Sequence, residues 1–309
     1  MTRDYATVFA PATVATLSVG FDILGLAIHG LGDKVTVTKR SEKGVHIEEI
    51  LGADLPKDPS KNTSTFPLLK MIEALNLDFG LSVKIEKGIP LCSGLGGSAA
   101  SAAASVLATN FLLDNPLERE ELMPFALEGE ALASGSKHAD NVGVSLLGGL
   151  LLITSIEPFR YVRLPVPDDL QVIVWHPHQK IDTLSSRGIL KEEIPLSLHI
   201  EQSKKFGGFL SGLYQNDFKL IKDSCEDIII GPQRKHLIPF FDEAKKIAED
   251  YDALGFSISG GGPTLFALAE GSEKASIIEK EVTSFFYLKK IGIDSTISKV
   301  NLEGSHLVT

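Results

Sequence analysis

Apolar and polar residues alternate with period two in DKVTVTKR (33–40) and again in LSVKIEKG (81–88), and each run predicts a half-buried strand. Between them, the Pro-, Asp- and Ser-rich DLPKDPSKNTS predicts a loop leading into a helix near 63–76. Residues 98–113 are helical by composition and stop at Asp114-Asn115-Pro116. A second helix, roughly 118–134, ends at Ser134-Gly135, where glycine suits a left-handed cap. GVSLLGGLLLITS (143–155) is apolar enough for a central strand, or for a strand pair broken at Gly148-Gly149. Further on, LQVIVWHP (170–177) predicts a strand, residues near 197–230 helices, and PFFDEAKKIAEDYDA (239–253) an amphipathic helix. GFSISGGGPTLFALAE (255–270) has the form strand, glycine turn, strand; a helix near 273–290 and a strand near 293–300 follow. The pattern is α+β, and the chain divides near residue 165 into two domains, 1–165 and 166–309.

Composition narrows what such a chain does. With 43% hydrophobic and 23% charged residues over 309 positions, it can bury a large core. A formal net charge of −10 argues against general affinity for nucleic acid or an anionic membrane, so an anionic ligand must be held by local geometry. No stretch approaches the ~18 apolar residues of a membrane span, and the start MTRDYATVFAP has no apolar secretion signal. Cys92 and Cys225 are far apart and in no metal spacing, which implies reduced thiols and a cytoplasmic setting.

The candidate anion site is GIPLCSGLGGSAASAAAS (88–105), a glycine loop running into an alanine- and serine-rich helix. Glycines let backbone N–H groups converge, and the first N–H groups of a helix lack internal partners. With the helix dipole they form a phosphate cradle that needs no cationic side chain. No Gly-Lys-Ser/Thr terminus of a Walker A loop occurs anywhere. Gly94, Gly96 and Ala99 fit GxGxxG/A, but no suitable strand ending in an acid follows, as a dinucleotide fold requires. The plain alternative is a helix packed tightly through small residues.

The run Pro90-Leu91-Cys92-Ser93-Gly94-Leu95-Gly96-Gly97-Ser98-Ala99-Ala100 resembles the P-x3-G-L-G-S-S-A-A phosphate loop of the GHMP kinases, with Gly97 in place of the first serine. Residues 10–22, APATVATLSVGFD, are similar to the first motif of that family in the form PATSANLGxGFD carried by its homoserine kinase branch. Val14, Thr16 and Ser18 depart from that form, where serine, asparagine and glycine are usual. Ser259-Gly260-Gly261-Gly262-Pro263-Thr264 resembles the late SGxGP motif, whose glycine turn approaches the phosphate loop from the second domain. Residues 130–141, EALASGSKHADN, are close to the branch's E-x5-G-x-KHADN.

The resemblance implies a two-domain GHMP kinase fold: a ribosomal protein S5 domain 2-like N-terminal domain and a ferredoxin-like C-terminal domain. It implies ATP held by Asn62 at the adenine and by Pro90, Leu91, Cys92, Ser93, Gly94, Leu95, Gly96, Gly97, Ser98 and Ala99 at the phosphates. Mg2+ falls to Ser98 and Glu130, since that ion takes oxygen ligands. The neighbouring Glu128 is expected to face elsewhere, to solvent. The amino-acid pocket falls to Thr16, Asp22, His138, Asn141, Arg187, Arg234 and Gly260, and the reacting groups to Asn141, Thr183 and Arg187. Asn141 is expected to hold the substrate hydroxyl and the two arginines the α-carboxylate, a group that suits bidentate guanidinium. His176 and His178 form HPH without an evident third ligand, so a loop is favoured over a metal site.

The reaction implied is transfer of the γ-phosphoryl of MgATP to the side-chain hydroxyl of L-homoserine, giving O-phospho-L-homoserine and ADP, a step of threonine biosynthesis. Direct attack without a carboxylate base is expected, with Asp140 in a structural role. A homodimer is expected from the resemblance alone. Other GHMP kinases acting on mevalonate- or shikimate-type alcohols remain open, as does a non-catalytic protein of the same fold.

Overall fold

The computed structural model describes residues 3–179, 181 and 183–308, with the side chains of 183–185 outside the description. In chain order the first part holds β1 (Tyr5–Ala15), β2 (Leu24–Arg40), β3 (Val45–Leu51), α1 (Phe66–Leu75), β4 (Gly80–Glu86), α2 (Gly97–Asn110), α3 (Met123–Ser134), α4 (Ala139–Leu147), β5 (Leu150–Ser155) and β6 (Arg160–Leu164). The second holds β7 (Leu170–Pro177), α5 (Thr183–Gly188), α6 (Leu196–Gln215), α7 (Phe218–Ser224), α8 (Gly231–Arg234), α9 (Phe241–Asp250), β8 (Gly255–Ile258), β9 (Leu265–Glu270), α10 (Ser272–Leu288) and β10 (Ile293–Ser298); β11 (His306–Leu307) closes the chain.

The first sheet runs β11-β1-β2-β4-β3, with β5 on the early half of β2 and β6 beyond it. β2 is long because its two halves serve different neighbours. Leu24 to Leu26 pair with β5 and are wholly buried, while Lys34 to Arg40 pair with β4 and alternate as the sequence predicts. β3 and β4 are the parallel pair; the other pairs of this sheet are antiparallel. The last strand returns across the molecule to pair Leu307 with Val8. Four antiparallel strands in the order β10-β7-β9-β8 form the second sheet. Helices between β7 and β8 and between β9 and β10 make this the split βαβ, ferredoxin-like arrangement.

Helix α2 is the axle of the first part. Every residue from Ala99 to Asn110 is buried, so the helix is enclosed on all sides and has no solvent-facing side. Alanine and serine allow this, because they let β1, β2, α3 and α4 approach closely. Where α3 crosses α2, a Cβ on Gly129 would stand 2.8 Å from that of Ala102 and 2.6 Å from the Thr63 carbonyl. Glycine at 129 therefore sets the depth at which the next residue, Glu130, is held.

One prediction fails here. Residues 143–147 do not begin a strand; they continue α4, which stops where Gly148 takes φ 73°. Val142 to Leu147 are all buried, and a short wholly buried run carries no periodicity to separate helix from strand. The helix foreseen over 118–134 starts as a 3-10 turn at Arg119–Leu122 before α3.

Candidate active site

β1 leads into a turn of unusual backbone. Thr16, Leu17 and Ser18 have φ of 78°, 42° and 61°, and Asp22 has 63°. Bonds from Thr16 N to Leu24 O, from Gly20 N to Thr16 O and from Leu24 N to Gly20 O, each 2.8 Å, hold the turn. It projects Phe21 and Asp22 into a cleft, while Thr16 forms part of the wall.

The opposite wall is the glycine loop. Gly96 is the cap of α2 and takes φ 69°, so the loop enters the helix through a left-handed residue. Pro90 to Gly94 and Gly96 to Ala99 line the cleft, whereas Leu95 turns into the core and its carbonyl accepts from Thr13 N at 3.1 Å. The second part of the chain locks the loop from above. Ser259 Oγ donates to the Gly94 carbonyl at 2.7 Å, and Thr264 N to the Ser93 carbonyl at 3.1 Å. Gly94 has φ 81°, and a Cβ there would lie 2.4 Å from the Ser259 carbonyl. The SGGGP turn thus meets the loop backbone to backbone, and Gly260 and Gly261 join the cleft wall.

α3 and α4 supply the floor. Glu130 points in from α3, and its neighbour Glu128 pairs with Lys137 at 3.1 Å. At the start of α4, Asn141 Oδ1 accepts from the Thr13 hydroxyl at 2.6 Å, which leaves the amide NH2 as the group offered to a ligand. His138 lies 3.8 Å from both Glu130 and Asp22 and bridges the two ends of the cleft. Its pKa is raised, chiefly by the Glu130 carboxylate beside it. Asp140 is buried, and that burial, with the charges of Asp22 and Glu130, pushes its carboxyl up to about 7.

The arginines come from the second part of the chain. Arg187, on α5, makes a bidentate pair with Asp22 at 2.9 and 2.6 Å. Arg234, at the end of α8, donates to the Ser186 carbonyl at 2.9 Å and to the Gly260 carbonyl at 3.1 Å. Both guanidinium groups lie over the Phe21 ring, at 5.4 and 5.1 Å from its centre. Burial, then the charge of Arg187, lowers the Arg234 pKa to about 10, which still leaves it cationic at neutral pH.

Most of the residues expected in the site therefore converge. Asn62 does not line the cleft: its amide donates to the Pro56 carbonyl and its oxygen accepts from Ser64 N, both at 2.9 Å. Thr183 opens α5, but its side chain lies outside the described residues. His176 sits on β7 and contacts Thr264 Oγ1 at 3.2 Å, and no metal-binding cluster of His, Cys, Asp or Glu occurs among the described residues. The site also holds Thr13 and Phe21, which the sequence does not mark. Thr13 acts only through a residue far along the chain, and an aromatic beside an acid carries no local signal of the cations it will meet. No helix among the described residues is long and apolar enough to cross a membrane.

Comparison with known proteins agrees with this geometry. The family model for the GHMP kinases N terminal domain matches residues 66–149, and that for the GHMP kinases C terminal matches 209–288. A homoserine kinase of Chloroherpeton thalassium is 39% identical, covering 98% of this chain and 99% of that one. The crystal structure of a homoserine kinase from Cytophaga hutchinsonii superposes with a TM-score of 0.96 at 45% identity, covering 99% and 98%. Mevalonate kinase of L. major, at 16% identity and a TM-score of 0.73 over 97% and 99%, shares the fold. By sequence over its whole length and by structure, the chain belongs to the GHMP kinase family, in its homoserine kinase branch.

Proposed function

We propose that the protein transfers the γ-phosphoryl of ATP to the side-chain hydroxyl of L-homoserine, yielding O-phospho-L-homoserine and ADP. The observation that carries this reading is one cleft with a main-chain anion cradle at one end and Asp22, Asn141, Arg187 and Arg234 at the other. A zwitterion matches the second end. Its α-ammonium replaces Arg187 at Asp22, and its α-carboxylate replaces Asp22 at Arg187 and Arg234. The Asp22–Arg187 pair of the free protein is thus exchanged for two intermolecular pairs, and no buried charge is left alone. The Asn141 amide then orients the hydroxyl toward the loop.

Gly96, Gly97 and Ser98 N–H groups and the start of α2 hold the γ-phosphoryl in line with that hydroxyl. Glu130 and the Ser98 hydroxyl offer the hard oxygen donors that Mg2+ accepts together with phosphate oxygens, so the donor set fits that ion. When bound, Mg2+ neutralises charge on the transferring group. The hydroxyl oxygen forms a bond to the γ-phosphorus as the bond to the bridging oxygen of ADP breaks, and the hydroxyl proton passes to a γ-phosphoryl oxygen. Asp140 favours a second reading, because a buried carboxyl near pKa 7 has the affinity of a general base.

The same reading divides the chain near residue 165 into an ATP-binding part and a C-terminal part; β6 ends at Leu164 and β7 opens the second sheet at Leu170. An ADP-release assay on L-homoserine, L-serine, L-threonine and mevalonate tests the substrate. Turnover at least as fast on any of the other three overturns the assignment.

A further inference from the structure

The glycine loop contains no lysine, yet the fold places one directly beneath it. Lys87 follows β4, and its side chain is only 3% exposed. Its ammonium donates to the Gly97 carbonyl at 2.8 Å and to Ser101 Oγ at 3.0 Å, and it pairs with Asp33 on β2. Asp33 is itself fully buried and fully satisfied. One carboxylate oxygen accepts from Gly88 N and Ile89 N at 3.0 Å each, and the other accepts from Ser101 Oγ at 2.7 Å and from Lys87.

These bonds join β2, the start of the glycine loop and the first two turns of α2 through one ion pair. Gly97 and Ser98 line the cleft, so Lys87 lies one layer behind its wall. Two charges withdrawn from water are a costly way to fill space, and an apolar pair would pack as well. What an apolar pair lacks is a second donor, beside the helix's own, to fix the Gly97 carbonyl from below. The void beneath that residue is already taken: a Cβ on Gly97 would meet Lys87 Nζ at 3.4 Å and Ile89 Cγ2 at 3.3 Å.

We propose that Lys87 is a positioning residue for phosphoryl transfer, which holds the first turn of α2 at the angle where the loop N–H groups converge on the nucleotide phosphates. Asp33 and Ser101 aim the ammonium, and the Gly97 carbonyl transmits its position to the cleft. The inference rests on the reading that this loop holds the phosphates.

Calorimetric titration with Mg2+ and a non-hydrolysable ATP analogue tests it on the wild type, D33N/K87M, S101A and S98A, beside the KM for L-homoserine. K87M alone leaves a buried carboxylate unpaired, whereas D33N/K87M removes both charges and keeps the volume. In the folded double variant the analogue is expected to bind about tenfold more weakly or worse, with the homoserine KM changed by less than about threefold. S101A keeps the ion pair and the helix, and its expected loss is about threefold. Wild-type nucleotide affinity in a folded D33N/K87M overturns the proposal. If that variant does not fold, wild-type affinity in S101A overturns it instead. Unaltered affinity in S98A removes the phosphate-loop reading and the clamp with it. Weakened binding in S98A beside wild-type affinity in D33N/K87M removes the clamp alone.

Discussion

Where the glycine loop meets α2, the cleft is walled mostly by main chain and small side chains; at its other end, charged and amide side chains arrive from β1–β2, α4, α5 and α8. The first end is contiguous in sequence and owes its shape to glycines with positive φ, the SGGGP turn above and a buried ion pair below. The second is assembled from distant segments and is held by an ion pair between Asp22 and Arg187. Main chain suits a group present in every turnover, such as phosphate, because its N–H groups need no specific side chain. Side chains suit the group that must be told apart from similar alcohols, since an unmatched charge there goes unpaired.

The largest expected effect breaks the main-chain end. Gly94→Ala forces a Cβ to 2.4 Å from the Ser259 carbonyl at φ 81°. Turnover should fall by about a hundredfold or more and stability by about 2 kcal/mol, read by ADP release and denaturant unfolding; a folded variant with wild-type KM for ATP would refute the backbone-to-backbone lock. Next, Arg187→Lys replaces a planar fork by a point charge, and the homoserine KM should rise about a hundredfold. The KM for ATP should move by less than about threefold if the two ends are separable.

A smaller effect concerns Asp140. Its folded pKa of about 7 lies above that of an unfolded aspartate, 3.8, so the folded state binds its proton more tightly. The stability this contributes is complete below about pH 4 and is lost as pH rises through about 7. Asp140→Asn should therefore melt higher than the wild type at pH 8 and show a flatter dependence of Tm on pH between those limits. Its turnover should stay within about tenfold, because loss of a general base costs a hundredfold or more. A loss of several orders of magnitude in a folded variant that binds both substrates makes Asp140 the base. Smallest is Thr16→Asn: a β-branched residue at φ 78° is strained, asparagine less so. A gain of about 1 kcal/mol in unfolding free energy is expected, with any kinetic change confined to the amino-acid side.

The contrast between the two ends also explains what the sequence makes legible. The phosphate cradle could be read from residues 90–99 alone, because glycine, a helix start and small residues are a local signal. Asp22, His138, Arg187 and Arg234 had no such signal, and only their likeness to family motifs brought them forward. Lys87 and Asp33 read as ordinary members of two alternating strands, since nothing local shows that their side chains meet under α2. Of the strand, or strand pair, expected over 143–155, the part after Gly148-Gly149 is β5, and the part before it is helix for a related reason: complete burial erases the period that separates the two forms.

The separation of roles is tested most directly at the amino-acid end, by comparing kcat/KM for L-homoserine with that for 4-hydroxybutanoate and 3-aminopropan-1-ol. Each analogue keeps the hydroxyl and lacks one charge. Asp22 is left unmatched by the first and the two arginines by the second, so both should fall by about a hundredfold or more, with ATP affinity unchanged. Use of either analogue within tenfold of L-homoserine would contradict the assignment of Asp22, Arg187 and Arg234 to a zwitterion.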